Sequence, residues 1–305
     1  MTTPRMTVIV PVFNRQSELR RLLTSMTMQS FADFECLVVD DSSTIPIEPL
    51  VTELGDSRFR YLRNARNGGP YNARTVGYRH MRGDYLMQFD SDWEAYPWAL
   101  AQSVRYLDDY PQVDAVSGMH LRHQDSAMFV RVRDGKRIIA PEDYVSGRPV
   151  PDCVGAVRRC VVEEWLTKRQ DYFAMEFHQW FTFGMHHRHL YVDEPWVRYH
   201  TDGGDRVSTG HDGRRLDDYM KFIEEHDEYL RSVNAPFLSE ILFGMWLDLL
   251  RAGRTADRKR MAEYLRLRRV PIARKLASKI AAKLASKAAA MTSAKLRSIH
   301  AVFSI

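Results

Sequence analysis

Tyr85-Leu86-Met87-Gln88-Phe89-Asp90-Ser91-Asp92 is the stretch on which the reading of this chain turns. Tyr85 to Phe89 is a run of strand length, apolar except for Gln88, and a short run of that kind after a turn signal predicts a buried strand. Asp90 then stands at the strand's carboxyl end, where open α/β sheets bind their ligands. A short turn beyond a strand can aim both Asp90 and Asp92 at one hard divalent cation. Mg2+ or Mn2+ takes oxygen ligands and completes its shell with substrate phosphates. An Asp-x-Asp triplet alone is common in solvated turns, so its neighbours decide what it means.

Upstream, Met6 to Val10 is a β-branched run stopped by Pro11. Leu19, Leu22, Leu23 and Met26 then follow helical spacing from an expected cap at Ser17. Cys36 to Val39 predicts a second buried strand ending at Asp40-Asp41, and Phe59 to Leu62 a short third one. Asn67-Gly68-Gly69-Pro70 is a turn signal, with a helix expected over Asn72 to Met81. Such alternation predicts parallel strands joined by crossover helices. The clusters at 11–14, 40–43 and 90–92 therefore arrive at one edge of one sheet. Downstream, Pro97 to Tyr110 reads as a helix and Ala115 to Met119 as a strand. The stretch up to Pro151 reads as irregular, 154–168 as strand then helix, and 216–252 and 255–305 as mostly helical.

Val8-Ile9-Val10-Pro11-Val12-Phe13-Asn14, Val38-Val39-Asp40-Asp41-Ser42-Ser43, Asn67-Gly68-Gly69 with Ala73-Arg74, Gly83-Asp84-Tyr85 and Phe89-Asp90-Ser91-Asp92 with Pro97 behind resemble, in order and spacing, the nucleotide-binding half of the family 2 glycosyltransferases. The resemblance covers residues 5 to 120 strongly and extends loosely to about 210. It implies a GT-A fold: a Rossmann-like mixed sheet with flanking helices, here with a helical C-terminal extension. It also implies an inverting transfer from a UDP- or other NDP-sugar to a glycan, lipid-linked or other hydroxyl acceptor, assisted by Mn2+ or Mg2+. Residues 1–215 become the catalytic domain, with 1–120 for the donor and 121–215 for the acceptor, and 216–305 the helical region.

Carried over by position, Pro11 and Phe13 line the base pocket, Asp41 accepts a hydrogen bond from the base, and Asp90 sits near the ribose or sugar. Asn14, Asn67 and Ser91 belong to the same nucleotide-sugar site. Asp92 ligates the metal. Arg74 lies in the donor site, where a guanidinium pairs with phosphate or holds Asp90. The family often places a further acidic residue directly after the Asp-x-Asp; here Trp93 stands there, followed by Glu94. Trp93 is expected to pack against the sheet, with a stacking role as the alternative.

An inverting transfer needs a base near the acceptor hydroxyl. The region where the family places it reads Gln170-Asp171-Tyr172-Phe173-Ala174-Met175-Glu176-Phe177, which makes Glu176 the first candidate and Asp171 the second. The paired acid of the family is absent. His200 stands where some members carry a histidine that closes on the diphosphate or metal. Asp202, Asp205, Arg206 and Ser208 follow it on a Gly-rich loop. His186, His187 and His189 lack an acidic partner at metalloenzyme spacing and read as surface or strand histidines.

The formal charge of +5 is unevenly spread: residues 251–305 hold 15 Lys/Arg against Asp257 and Glu263, a net +13, which leaves residues 1–250 at −8. Lys275, Lys279, Lys283 and Lys287 beside Leu276, Ile280, Leu284 and Ala288 form basic and small-apolar stripes. A helix of this kind over 270–300 suits an anionic membrane surface, with a solvated or packed helix as the alternative. Nucleic acid is disfavoured, because the basic stretch has almost no interleaved aromatics. A nucleotidyltransferase is disfavoured too, since Pro11-Val12-Phe13-Asn14 lacks a glycine-rich triphosphate loop.

Cys36, Cys153 and Cys160 are odd in number and lack CxxC spacing. They point to a reducing compartment, so the expectation is a cytoplasmic protein, peripheral at the inner face of the membrane. No 18 apolar residues run together.

Overall fold

The computed structural model describes residues 3–122, 135–145, 155–168, 170–174, 176–200, 213–232, 236–272 and 275. The expected loop residues Asp202, Asp205, Arg206 and Ser208, and the basic stripe beyond Lys275, lie outside them. Two compact units divide the chain: residues 1–227 with 235–237, and 228–234 with 238–305.

The first unit runs β1 (Met6–Val12), α1 (Gln16–Thr27), β2 (Phe34–Asp40), α2 (Glu48–Thr52), β3 (Phe59–Arg63), α3 (Pro70–His80), β4 (Tyr85–Gln88), β5 (Trp93–Ala95), α4 (Ala99–Asp109), β6 (Ala115–Arg122) and β7 (Lys136–Ile139). It continues with α5 (Pro141–Val145), β8 (Gly155–Arg158), α6 (Arg159–Thr167), α7 (Glu176–His186), β9 (His189–Tyr199) and α8 (Gly213–Glu225). One mixed sheet has the order β3-β2-β1-β4-β8-β6-β9-β5, with β7 on β9. β1, β2, β3 and β4 pair in parallel, and β8 joins β4 antiparallel. The chain winds outward from β1 in both directions, so the switch point lies between β1 and β4, the edge at whose carboxyl ends open α/β sheets bind ligands.

β1 and β2 are buried along their whole length, because helices cover both faces of a parallel sheet. Alternation then splits β1 between two cores. Met6, Val8, Val10 and Val12 pack with Leu22, Met26 and Leu100 of α1 and α4. Ile9 joins Ala73, Leu86, Val161 and Trp165 on the face of α3 and α6. Each such buried aliphatic side chain contributes roughly 1.5–3 kcal/mol. Gly77 lets α3 lie close on the sheet, since a Cβ there would come within 2.7 Å of Ile9.

Local starts differ from the sequence expectation. α1 begins at Gln16 with Arg15 at the N-cap and no side-chain cap, and the Ser17 hydroxyl bonds Glu18 instead. α3 begins at Pro70, directly on the turn, as suits a proline whose missing N–H costs nothing at a first helical position. Within the stretch read as irregular, β6 continues to Arg122, and β7 and α5 follow. His187 does find acids, Glu164 at 2.7 Å and Asp114 at 3.2 Å; they are distant in sequence, which is why no spacing showed them.

In the second unit, α9 (Asp227–Ser232), α10 (Pro236–Arg251) and α11 (Thr255–Leu267) bear out the helical extension. Leu238, Leu242, Leu249, Met261 and Leu265 are buried. The Arg268 guanidinium is also buried, donating to the carbonyls of Tyr264 and Leu230. Among the described residues, no helix is long and apolar enough to cross a membrane.

His189 opens β9 fully buried, with Nε2 2.7 Å from the Ser117 hydroxyl. Burial pulls its pKa down to about 3. The unfolded chain takes this proton first, near pH 6.5, so stability is complete above that pH and falls as pH drops towards 3. We expect the unfolding free energy from urea denaturation to decline between pH 6.5 and 4 by up to about 1.4 kcal/mol per pH unit from this residue, and His189→Gln to flatten that decline.

Candidate active site

The carboxyl ends of β1, β2 and β4 bring the acidic clusters together through their loops. Pro11 is buried and Phe13 is 42% exposed at the rim. Asn14 takes a left-handed backbone, φ 54°, and so does Ser42 across from it, φ 67°. Their loops clasp: the Asn14 amide donates to Ser43 Oγ at 2.9 Å, and Asn14 Oδ1 accepts from the Thr44 amide at 2.8 Å. The Asp41 amide closes on the Val12 carbonyl at 2.8 Å.

Asp40 and Asp41 then part in role. Asp40 is fully buried and accepts from the Ser43 amide, the Tyr61 hydroxyl and Arg63, which fixes the end of β2. Asp41 faces the glycine turn. Its Oδ1 accepts from Asn64 at 2.8 Å and the Gly68 amide at 3.1 Å, and its Oδ2 from the Gly69 amide at 2.6 Å. A carboxylate has about four lone-pair sites, so Asp41 keeps acceptor capacity beyond these three bonds.

Gly69 is required where it stands. Its φ of 88° and ψ of 167° belong to a region open essentially to glycine alone. A Cβ there would also lie 2.3 Å from the Phe173 carbonyl oxygen. The segment leading into α7 therefore rests on the glycine turn, and the Tyr71 amide donates to the same carbonyl at 3.2 Å. From the other side, the fully buried Asp218 of α8 accepts from the amides of Phe173 and Ala174 at 2.9 and 2.8 Å. Burial pushes this carboxyl up, against the opposing pull of those amides. Asn67 is drawn to the same place, accepting from Arg214, whose guanidinium lies 3.8 Å from the Phe173 ring centroid.

Beyond β4, each carboxylate meets a base. Arg74 is almost buried and bonds Asp90, whose side chain is 43% exposed. Asp92 is 6% exposed and accepts from Arg15 at 3.1 Å through Oδ2; its Oδ1 is bonded by no other described residue. Trp93 packs edge-on against Phe89, ring centroids 6.0 Å apart, and joins the core. β5 pairs Glu94 beside the end of β9. His200 is thereby buried with Nε2 2.8 Å from Glu94 and its amide 3.4 Å from the Asp92 carbonyl. Ser91 is buried in the same turn. A leftover oxygen on a nearly buried aspartate, with a second carboxylate and an imidazole beside its turn, fits a Mn2+ or Mg2+ ligand set.

The base candidates are placed differently. Glu176 is the first residue of α7. Asp171 is 60% exposed at its side chain and lies 3.4 Å from Lys221. Sequence reasoning missed Arg15, although it directly follows the cluster at 11–14. Asp218 and Arg214 gave no local signal for this site, since Phe173, Ala174 and Asn67, which they hold here, are more than 40 residues away.

Residues 7–165, just over half of the chain, match the model of glycosyl transferase family 2. The chain belongs to that family. This family 2 chain is 32% identical over 112 residues to an uncharacterized glycosyltransferase of Haemophilus influenzae, covering 36% of this chain and 37% of the relative. It is 34% identical over 101 residues to the GalNAc(5)-diNAcBac-PP-undecaprenol beta-1,3-glucosyltransferase of Campylobacter jejuni, covering 32% and 33%. These matches span about a third of the curated relatives' own length.

Among solved structures, the chain resembles S. aureus TarS 1-349 in complex with UDP-GlcNAc at TM-score 0.62 and 17% identity, covering 81% of this chain and 73% of that one. It resembles the mannosyltransferase PcManGT of Pyrobaculum calidifontis, in complex with GDP-Man and Mn2+, at TM-score 0.53 and 20% identity, covering 93% and 81%. At these identities the likeness establishes the fold, which is GT-A.

Because Gly69 is held by both backbone and space, Gly69→Ala should destabilise the chain by about 3 kcal/mol or more. Urea denaturation measures this directly; a change below about 1 kcal/mol would refute the strain argument.

Proposed function

We propose that this family 2 chain is an inverting, metal-assisted glycosyltransferase that moves a sugar from an NDP-sugar, with UDP as the expected nucleotide, to a hydroxyl on a glycan or lipid-linked acceptor. One observation carries the reading: at the switch-point edge, the nearly buried Asp92 has an Oδ1 that is unbonded among the described residues, beside a turn that also holds Asp90 on Arg74. UDP-GlcNAc in the TarS complex, GDP-Man and Mn2+ in the PcManGT complex and an undecaprenol-linked acceptor in the name of the Campylobacter relative support the substrate classes.

In this reading the loops at 11–14 and 41–44 receive the base and ribose, with Pro11, Phe13, Asn14 and Asp41 as contacts. Asn67, Arg74, Asp90 and Ser91 bind the rest of the donor. Asp92 holds the cation, Mn2+ or Mg2+, and His200 closes on it with Glu94. Bound there, the cation neutralises the leaving diphosphate. Arg15, displaced from Asp92, is left to pair with phosphate. Glu176, or Asp171 failing that, takes the proton from the acceptor hydroxyl as its oxygen attacks the anomeric carbon. The nucleoside diphosphate leaves from the opposite face, which inverts the configuration. The donor half is 1–120 and the acceptor half 121–215. The basic stretch over 270–300 holds the enzyme at the cytoplasmic face of an anionic membrane, where lipid-linked acceptors lie.

Asp92→Asn should cut kcat by roughly a thousandfold, the several kcal/mol a metal supplies in the transition state, while the fold survives. Unchanged turnover would remove Asp92 from the metal site. Glu176→Gln should lose about 10²–10⁴-fold in kcat with donor affinity retained, and near-normal transfer would pass the role to Asp171. Thermal shift against a panel of NDP-sugars with Mn2+ identifies the donor.

A further inference from the structure

A second polar cluster is built from α7 and the end of α8. His178, in the first turn of α7, is 1% exposed, and His226, directly after α8, is 7% exposed. Glu225 places Oε1 3.2 Å from His178 Nε2, and its Oε2 accepts from the Tyr172 hydroxyl at 2.7 Å. One ligand atom from each of His178, Glu225 and His226 lies within 4.8 Å of the other two. Aromatic rings wall the cluster: Tyr172 is 4.6 Å from the His178 ring, and Phe181 and Phe222 are 4.9 and 4.8 Å from the His226 ring.

Both ring nitrogens of His178 and Nε2 of His226 are buried without a hydrogen bond among the described residues. The contact between His178 and Glu225 is close enough for attraction but off-line for a hydrogen bond. Buried polar atoms are paired in the large majority of cases, and an orphan calls for an explanation such as a water or an ion. Plain ring packing accounts for the apolar walls and leaves these three nitrogens unexplained.

Two imidazoles and a carboxylate are a borderline donor set that suits Zn2+, whereas Mg2+ and Ca2+ prefer oxygen alone. Tetrahedral bonds of about 2.0–2.1 Å place ligand atoms about 3.3 Å apart, so side-chain shifts of the order of 1 Å complete a shell from this geometry. We propose that His178, Glu225 and His226 form a Zn2+ site, with Tyr172 orienting the carboxylate and the fourth position held by water. The site ties α7, which Glu176 opens, to α8, which carries Asp218. It is independent of the donor-site reading, because none of its ligands serves that site.

The test uses the full chain, stripped with a chelator and titrated calorimetrically with ZnCl2 alone. One Zn2+ per chain, a rise in thermal midpoint and the visible absorption of a four-coordinate site with Co2+ are expected. His226→Gln and Glu225→Gln should each weaken Zn2+ binding by at least about a hundredfold, the upper end of the loss from removing a mere supporting group, and Tyr172→Phe by about tenfold. Asp92→Asn should leave it unchanged. Absence of stoichiometric binding, or full affinity in Glu225→Gln, overturns the proposal; so does loss of binding on Asp92→Asn alone. Glu225 is partly exposed at its side chain, 21%, so that variant decides the matter even where a substitution at either buried histidine unfolds the chain.

Discussion

The approach of the Phe173 backbone to Gly69 organises the catalytic unit. One side of this contact is the glycine turn, held by Asp41 at the end of β2. The other is the segment entering α7, held by the buried Asp218. Two carboxylates thus grip main-chain amides on either side of a position where only glycine fits. Amides bonded to carboxylates are stronger restraints than neutral turns, so the glycine turn and the segment entering α7, which carries the proposed base, are positioned by one shared contact.

Electrostatics at the sheet edge follows a single pattern. Acidic side chains arrive at the ends of β2 and β4, and nearly every one is met by an arginine or a cluster of amides. Asp40 has Arg63, Asp90 has Arg74 and Asp92 has Arg15. Like charges gathered at one edge repel, and pairing with arginine offsets that repulsion and orients the carboxylates. In the proposed reading this arrangement suits a ligand that carries both a cation and a diphosphate, since Arg15 and Arg74 could pass from carboxylate to phosphate with little change in local charge.

Much of this was legible in the sequence, because the signal was local. The continuous apolar runs of β1 and β2, the Asn67-Gly68-Gly69-Pro70 turn and the aspartates after β4 are read within windows of a few residues, and the GT-A fold followed. Trp93 sits in the core as its apolar character suggests. What escaped depended on distant partners. His178 and Glu225 are 47 positions apart in number, and Phe173 meets Asp218 across 45; no periodicity carries such pairs. β5 and β7 are too short for a pattern to register, and α1 starts at Gln16 because tertiary packing, not the Ser17 hydroxyl, sets its first turn.

The left-handed backbones of Asn14 and Ser42 and the reciprocal hydrogen bonds between their loops make one interlocked wall out of two chain segments. Replacing a residue in one loop alters the footing of the other. If these loops receive the nucleobase as proposed, a variant redesigned for a different base would need matched changes in both, and single substitutions there should more often abolish nucleotide discrimination than redirect it.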